Sequence, residues 1–265
     1  MSRPLITVSL GVGLALCLLA PRAALATWSM VAVDPDTREV GAVGATCGPY
    51  VWMIGRVEPG AGAMVSLCGT NLGARKDVTE AMAAGSTPDE ALGEVTTAAY
   101  DDDLGIRQYA IAGFEGPTAV YTGDECDDWK GTHTEEHMAA AGNILADQVV
   151  LDEAVAAFHD SDGEALADRL LAALVAGAEQ GGDSRCDPGV AAESAFIFVA
   201  GPDDKRPGIE LTASDKDGAV WALEEKYASG KLRNWHCSSA GGAPGSAALL
   251  GLLGLLGLLG LTRRR

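Results

Sequence analysis

The chain has 265 residues and a formal net charge of −18, a length that suits one large domain or two small ones. Five cationic side chains, Arg3, Arg22 and Arg263 to Arg265, fall in two acid-free end segments, which leaves −23 on the stretch between them. Such an acidic surface repels phosphate backbones and argues against a nucleic-acid partner.

Residues 1–26 have the build of a secretory leader. Arg3 opens it, Leu5 to Ala20 is an uncharged apolar run, and Ala24-Leu25-Ala26 is a small-x-small cleavage site. The run is short beside the roughly 20 apolar residues a membrane span requires. Cleavage after Ala26 by signal peptidase makes Thr27 the first residue of an exported chain. Cys17 leaves with the leader, and Cys47, Cys68, Cys126, Cys186 and Cys237 remain. Outside the cytosol these are expected to bridge. Their odd number leaves one alone, and Cys237 is the natural candidate. Of three possible pairings for the other four, Cys47–Cys68 with Cys126–Cys186 is put forward. No cysteine or histidine spacing of a zinc site is present.

Thr27 to Val33 and Glu39 to Thr46 flank Asp34-Pro35-Asp36 and read as an antiparallel hairpin. Val51 to Val57 and Ala61 to Leu67 form a second pair around Glu58-Pro59-Gly60, and the four strands are expected to supply most of one sheet. Ala74 to Ala84 has helical spacing and stops at Gly85. Ser86-Thr87-Pro88-Asp89-Glu90 starts another helix, with a hydroxyl cap, a first-turn proline and acids at the positive end of the dipole. It is expected to reach about Tyr100. Gln108 to Phe114 and Thr118 to Thr122 read as strands, and Asp124 to Ala140 as a polar loop. Ile144 to Phe158 and Glu164 to Glu179 are helical, with Gly181-Gly182-Asp183 ending the second. Ser194 to Ala200 and Ile209 to Ser214 are strands, and Val220 to Ala228 is a last helix. Strands gathered in runs, with no internal repeat or long linker, point to one layered α+β domain over residues 27–236.

Residues 237–265 differ in composition. From Gly241 to Thr262 nothing is charged, and as a helix this stretch would extend about 33 Å, enough to span hydrocarbon. Arginines after it fit a cytoplasmic end. Cys237, a Gly/Ser stretch, the apolar helix 247–261 and the arginine cluster together resemble a MYXO-CTERM sorting tail. That resemblance implies membrane attachment through the tail, processing near Cys237 by a sorting protease, and delivery to the cell surface or outer membrane, or release after processing.

An amino-terminal threonine is a nucleophile that carries its own base. Its α-amine, with a free pKa of about 7.7 to 8.0, takes the hydroxyl proton as the oxygen attacks a carbonyl. The segment from Thr27 to Pro35 followed by Glu39-Val40-Gly41 resembles the opening of the DUF1028 family. Thr122-Gly123, Cys126, Trp129 and Gly142-Asn143-Ile144-Leu145-Ala146 resemble its central motif. Gly181-Gly182-Asp183 with Arg185, then Ser194-Ala195, resembles a third block. This resemblance implies an N-terminal nucleophile (Ntn) hydrolase, a four-layer αββα sandwich, and a first residue presented into a cleft between the sheets. Departures are the insertion Cys186-Asp187-Pro188-Gly189, Glu193 in place of glutamine, and the wording around Cys47 and Cys68.

On that basis the catalytic candidates are Thr27, Asn143, Asp183 and Arg185. Asn143 is expected to donate to the oxyanion or hold substrate, or else to cap a helix beginning near Ile144. Asp183 and Arg185 would position the amine or a substrate carboxylate, or form a structural ion pair. Ser29, two residues along the strand, should face the same side as Thr27 and reach its amine or line the wall. His133 and His137, spaced i, i+4, are the pair with metal-ligand spacing, but no third ligand accompanies them and the order is not HExxH. Asp101-Asp102-Asp103 and Asp124 to Asp128 lack the spacing of a calcium loop. No glycine motif is set for a phosphate or dinucleotide, and no cofactor is expected. The sequence therefore points to an exported hydrolase that cleaves an amide bond of a small molecule or short peptide. The alternative is a surface-displayed, non-catalytic binding module on the same fold.

Overall fold

The first strand sets the layering. In the computed structural model, which describes residues 27–239 and side chains through residue 230, β1 (Thr27–Val33) is buried along its whole length. Its side chains alternate between two faces, as the pleat requires. Val31 and Val33 pack against Ala63, Val65, Leu67, Ala110 and Ala112 of a second sheet. Trp28 points the other way, and its indole N–H donates to the Leu174 carbonyl at 3.3 Å. Burying a Val, Leu or Phe side chain contributes roughly 1.5–3 kcal/mol, so a strand buried on both faces sits at the centre of the fold.

Four strands and two helices follow: β2 (Val40–Thr46), β3 (Gly55–Glu58), β4 (Gly62–Cys68), α1 (Leu72–Ala83), α2 (Pro88–Val95) and β5 (Arg107–Gly113). Then come β6 (Ala119–Thr122), β7 (Gly131–Thr134), β8 (Met138–Asn143), α3 (Val149–Asp160), α4 (Leu166–Glu179), β9 (Ser194–Ala200), β10 (Ile209–Ser214) and α5 (Ala219–Ser239). One sheet runs β10-β9-β2-β1-β8-β7 and the other β3-β4-β5-β6, with every pairing antiparallel. Helix α4 covers β1 and β2, while α1 and α2 bury Val78, Met82, Leu92 and Val95 against Met64, Tyr109 and Ile111. The result is a mixed α+β sandwich in the order helix, sheet, sheet, helix. The chain divides into one unit ending at Glu224 and another from Glu225 onward. The site described below lies in the first; the described part of the second is the rest of α5.

Several local expectations change. The four front strands divide between the sheets, β1 and β2 in one and β3 and β4 in the other. Val51–Met53 is a 3-10 turn, entered through Tyr50 at φ 67°. Its carbonyl end is held by Arg75, which donates to Met53 and, at 2.6 Å, to Gly55. Helix α2 stops at Val95, where the Thr96 hydroxyl bonds back to Leu92 at 2.8 Å. The expected loop 124–140 contains β7 and the first half of β8. Helix α3 begins at Val149, and α5 continues past Ala228 to Ser239.

The cysteine pairing is also corrected. Cys47 bridges Cys186 and Cys68 bridges Cys126, with Cα separations of 5.4 Å and 5.9 Å. Cys47 directly follows β2 and Cys68 ends β4, in different sheets, and each finds its partner in a later loop. Both bridges fit an oxidising, extracytoplasmic setting. The leader, the apolar helix 247–261 and the Cys237 side chain lie outside the described residues. Among the described residues no helix is long and apolar enough to cross a membrane.

Candidate active site around Thr27 and Asn143

Thr27 is the first residue of β1 and pairs in register with Asn143, the last residue of β8. Directly opposed residues project on the same face. Because Val31 on β1 and Ala139 and Ala141 on β8 lie in the core between the sheets, Thr27 and Asn143 also face that interlayer. Both are buried, at 1% and 0% exposure. Asn143 is therefore a strand residue and not a helix cap. Neither its Oδ1 nor its Nδ2 has a hydrogen-bond partner. A buried amide left in this state costs about 1–3 kcal/mol.

The backbone after Asn143 is strained. Ile144 has φ 53°, a left-handed conformation that is an outlier for a β-branched residue. Neighbouring segments hold the turn: Ile144 N–H donates to Asp127 at 3.3 Å and Leu145 N–H to Trp129 at 3.0 Å. The Ile144 carbonyl accepts from both the N–H (3.1 Å) and the hydroxyl (2.8 Å) of Ser184. Gly142 allows this tight packing, since a Cβ there would sit 2.5 Å from Leu145 Cδ1. The central motif thus folds Asn143 against the start of β1.

Asp183 and Arg185 stand one strand away. Ala45 pairs with Trp28, and the next residue, Thr46, carries the pair. The Asp183 carboxylate, fully buried, accepts from Cys47 N–H at 2.6 Å, Thr46 Oγ1 at 3.3 Å and Arg185 N–H at 3.0 Å. It also takes a two-pronged contact from the Arg185 guanidinium, at 3.1 Å and 2.7 Å. Arg185 Nη2 lies 3.2 Å from Thr46 Oγ1. The Cys47–Cys186 bridge closes the same loop onto β2. With its lone pairs this fully engaged, Asp183 orders the end of β2. Glycine is required at 182, where φ is 53° and a Cβ would meet the Trp28 ring at 2.6 Å.

Ser29 faces the interlayer as expected, but its hydroxyl donates to the Ala141 carbonyl at 3.4 Å, on the strand beside it. Gln108, which sequence reasoning passed over, is fully buried on β5. Its Nε2 donates to the carbonyls of Gly142 (3.0 Å) and Gly131 (3.2 Å) and lies 3.2 Å from Thr122 Oγ1, while Oε1 is unpartnered. It ties the second sheet to the residue before Asn143. A lone polar side chain on the otherwise apolar face Gln108, Ala110, Ala112 was the available signal.

Other candidates lie elsewhere. His133 is on strand β7 and His137 in the turn before β8, so they do not share a helical face. Val33 N–H donates to the His137 carbonyl at 2.9 Å, which puts His137 at the far end of β1 from Thr27. A cleft of about 600 Å³ opens there, lined by Val33, His137, Phe158 and several acids.

Residues 27–223 match the model of DUF1028, described as a family of unknown function. The chain belongs to DUF1028. The match begins at Thr27 and includes Asn143, Asp183 and Arg185. The crystal structure of protein SPO2555 from Silicibacter pomeroyi, assigned to DUF1028, is 32% identical with a TM-score of 0.65. That similarity covers 77% of this chain and 85% of the other. No curated protein matches the chain.

Proposed function

We propose that this DUF1028 protein is an exported N-terminal nucleophile hydrolase that cleaves an amide bond of a small molecule or short peptide. Signal peptidase removes residues 1–26 and leaves Thr27 with a free α-amine. The Thr27 hydroxyl attacks the substrate carbonyl while the amine accepts its proton. Asn143 Nδ2 donates to the developing oxyanion. The amine then returns the proton to the leaving nitrogen, and water hydrolyses the acyl-threonine. Asp183 and Arg185 act as positioning residues, fixing the end of β2 through Thr46 and Cys47.

The observation that carries this reading is the Asn143 amide, buried, unpaired and opposite Thr27. Export is proposed from the leader, and surface or outer-membrane attachment, with later processing by a sorting protease, from the MYXO-CTERM-like tail. The test is reaction of the mature protein with a β-lactone that acylates amino-terminal threonines. Thr27→Ala should fold and remain unlabelled. Equal labelling of both proteins would overturn the assignment.

The acidic cleft at the other end of β1 favours a second reading, a surface-displayed binding module without catalysis. A mature protein that starts at Thr27 yet takes up no probe supports it.

A further inference from the structure

Lys130 immediately precedes β7. Gly131 pairs with Gly142 in the antiparallel β7–β8 ladder, so the register sets position 130 opposite Asn143, on the side away from Thr27. Adjacent strands lie about 4.7–4.9 Å apart, which puts this position one strand beyond Asn143 and two from Thr27. Directly opposed residues share a face, and the Lys130 side chain agrees. It reaches from the six-stranded sheet to the loop after β6 of the other sheet, where Nζ donates to the carbonyls of Asp124, at 2.9 Å, and Cys126. The same loop packs on the backbone after Asn143, through Ile144 N–H to the Asp127 carbonyl.

This ammonium differs from the other cations at the same end of the sandwich. Arg107 and Arg185 are each neutralised by a buried aspartate, Asp101 and Asp183. Among the described residues no carboxylate pairs with Lys130. Its loop neighbours Asp124, Asp127 and Asp128 are exposed, and Glu125 turns to Gly105. An ammonium has three N–H donors, and the two carbonyls engage two of them. Gln108 presents the complementary need. Its Nε2 hydrogens go to the Gly131 and Gly142 carbonyls, which fixes the orientation of the amide and leaves Oε1, on a fully buried side chain, without a donor. Nδ2 and Oδ1 of the buried Asn143 are unpartnered as well. The interlayer at this end therefore offers a cationic donor, an amide donor and two acceptors.

We propose that Lys130, Asn143 and Gln108 form a subsite for an N-acyl amino acid, with Lys130 selecting its carboxylate. This subsite rests on the hydrolase reading of Thr27 and specifies its substrate class. The acyl carbonyl accepts from Asn143 Nδ2, and the amide N–H donates to Gln108 Oε1. The carboxylate, one carbon beyond the amide nitrogen, takes the third N–H of Lys130 in a charge-assisted bond. That order follows the row of strands, with Thr27 and Asn143 at the scissile carbonyl and Lys130 one strand further, on the leaving side. Attack by the Thr27 hydroxyl breaks the C–N bond. The amino acid leaves with the proton held by the Thr27 amine, and water then releases the carboxylic acid.

The experiment is calorimetric titration of the mature Thr27→Ala protein, which holds ligand without turning it over. The probes are N-acetylglycine, N-benzoylglycine and N-octanoylglycine, each beside its methyl ester. At least one acid is expected to bind about tenfold or more tighter than its ester. Adding Lys130→Met should remove this preference, and adding Lys130→Arg should keep it. Acid and ester are compared on the same protein, so partial unfolding of a variant weakens both alike and leaves their ratio intact. On the parent protein, a β-lactone with a carboxylate on the carbon that bears the ring oxygen should acylate Thr27 faster than its methyl ester. Acid-selective binding without acylation of the parent upholds the subsite and overturns the hydrolase reading alone. No saturable binding by any of the three acids, equal binding of acid and ester, or a preference that survives Lys130→Met overturns the subsite.

Discussion

Thr27 and Asn143 oppose each other across β1 and β8, and the amide of Asn143 makes no hydrogen bond although it is fully buried. Removing an unsatisfied buried amide recovers about 1–3 kcal/mol of desolvation, which offsets the cavity left by truncation. Asn143→Ala is therefore expected to match or exceed the parent in urea unfolding. Loss of an oxyanion donor costs about 10²–10³ in rate, so Thr27 acylation should slow by that order. A variant that unfolds readily but labels at the parent rate would mark Asn143 as structural.

Gln108 should behave oppositely. Its contacts to Gly131 and Gly142 join the sheets behind the site, and truncation strands those two carbonyls. At about 1 kcal/mol per buried bond, Gln108→Ala is expected to lose about 2–3 kcal/mol in chemical denaturation. Gln108→Glu, which keeps the shape but replaces the donating amide with an acceptor, should be destabilised as well.

The two disulfides differ in the length of chain they close. Cys47–Cys186 spans 139 residues and Cys68–Cys126 spans 58. In the chain-entropy model the longer loop stabilises more, by about 0.8 kcal/mol. Cys47→Ser/Cys186→Ser should therefore melt below Cys68→Ser/Cys126→Ser. It should also slow Thr27 labelling, because the Asp183 loop loses its covalent tie to β2. Non-reducing peptide mapping of the parent should recover these two pairs.

Acid stability should depend on Asp101. The Arg107 guanidinium, at 2.7 Å and 3.1 Å, pulls its carboxyl down to about 2, aided by Asp103 N–H and the Asn71 amide against the opposing effect of burial. A carboxyl lowered on folding adds stability above its unfolded value, near 3.9, and loses it as pH falls toward 2. Asn71 also caps α1 through Ala74 N–H at 2.9 Å, so the loss reaches that helix. Asp101→Asn is expected to be less stable at pH 7 and to show a flatter stability profile between pH 4 and pH 2.

Elements with strong local chemistry were legible from sequence. The Pro/Asp turn after β1, the capping box of Thr87 and Glu90, and strands β9 and β10 all form as their residues indicate. Strand β8 was not legible. Met-Ala-Ala-Ala-Gly-Asn lacks β-branched residues, and small side chains are selected there by β1, β7 and the facing sheet. Missing β8 also hid the meaning of Asn143, because its pairing with Thr27 spans more than a hundred residues. The disulfide pairing failed for the same reason: which loop returns to which strand end is decided by the sheet order. Thr27, Asp183 and Arg185 were named from motif position, but the service of Asp183 to Thr46 and Cys47 required the fold.

The most direct measurement is mass spectrometry of the mature protein after exposure to the β-lactone. The amino-terminal peptide should begin at Thr27 and carry one acyl adduct on that residue, with none in Thr27→Ala. A mature chain beginning at any other residue, or an adduct that survives in Thr27→Ala, would contradict nucleophilic catalysis by Thr27.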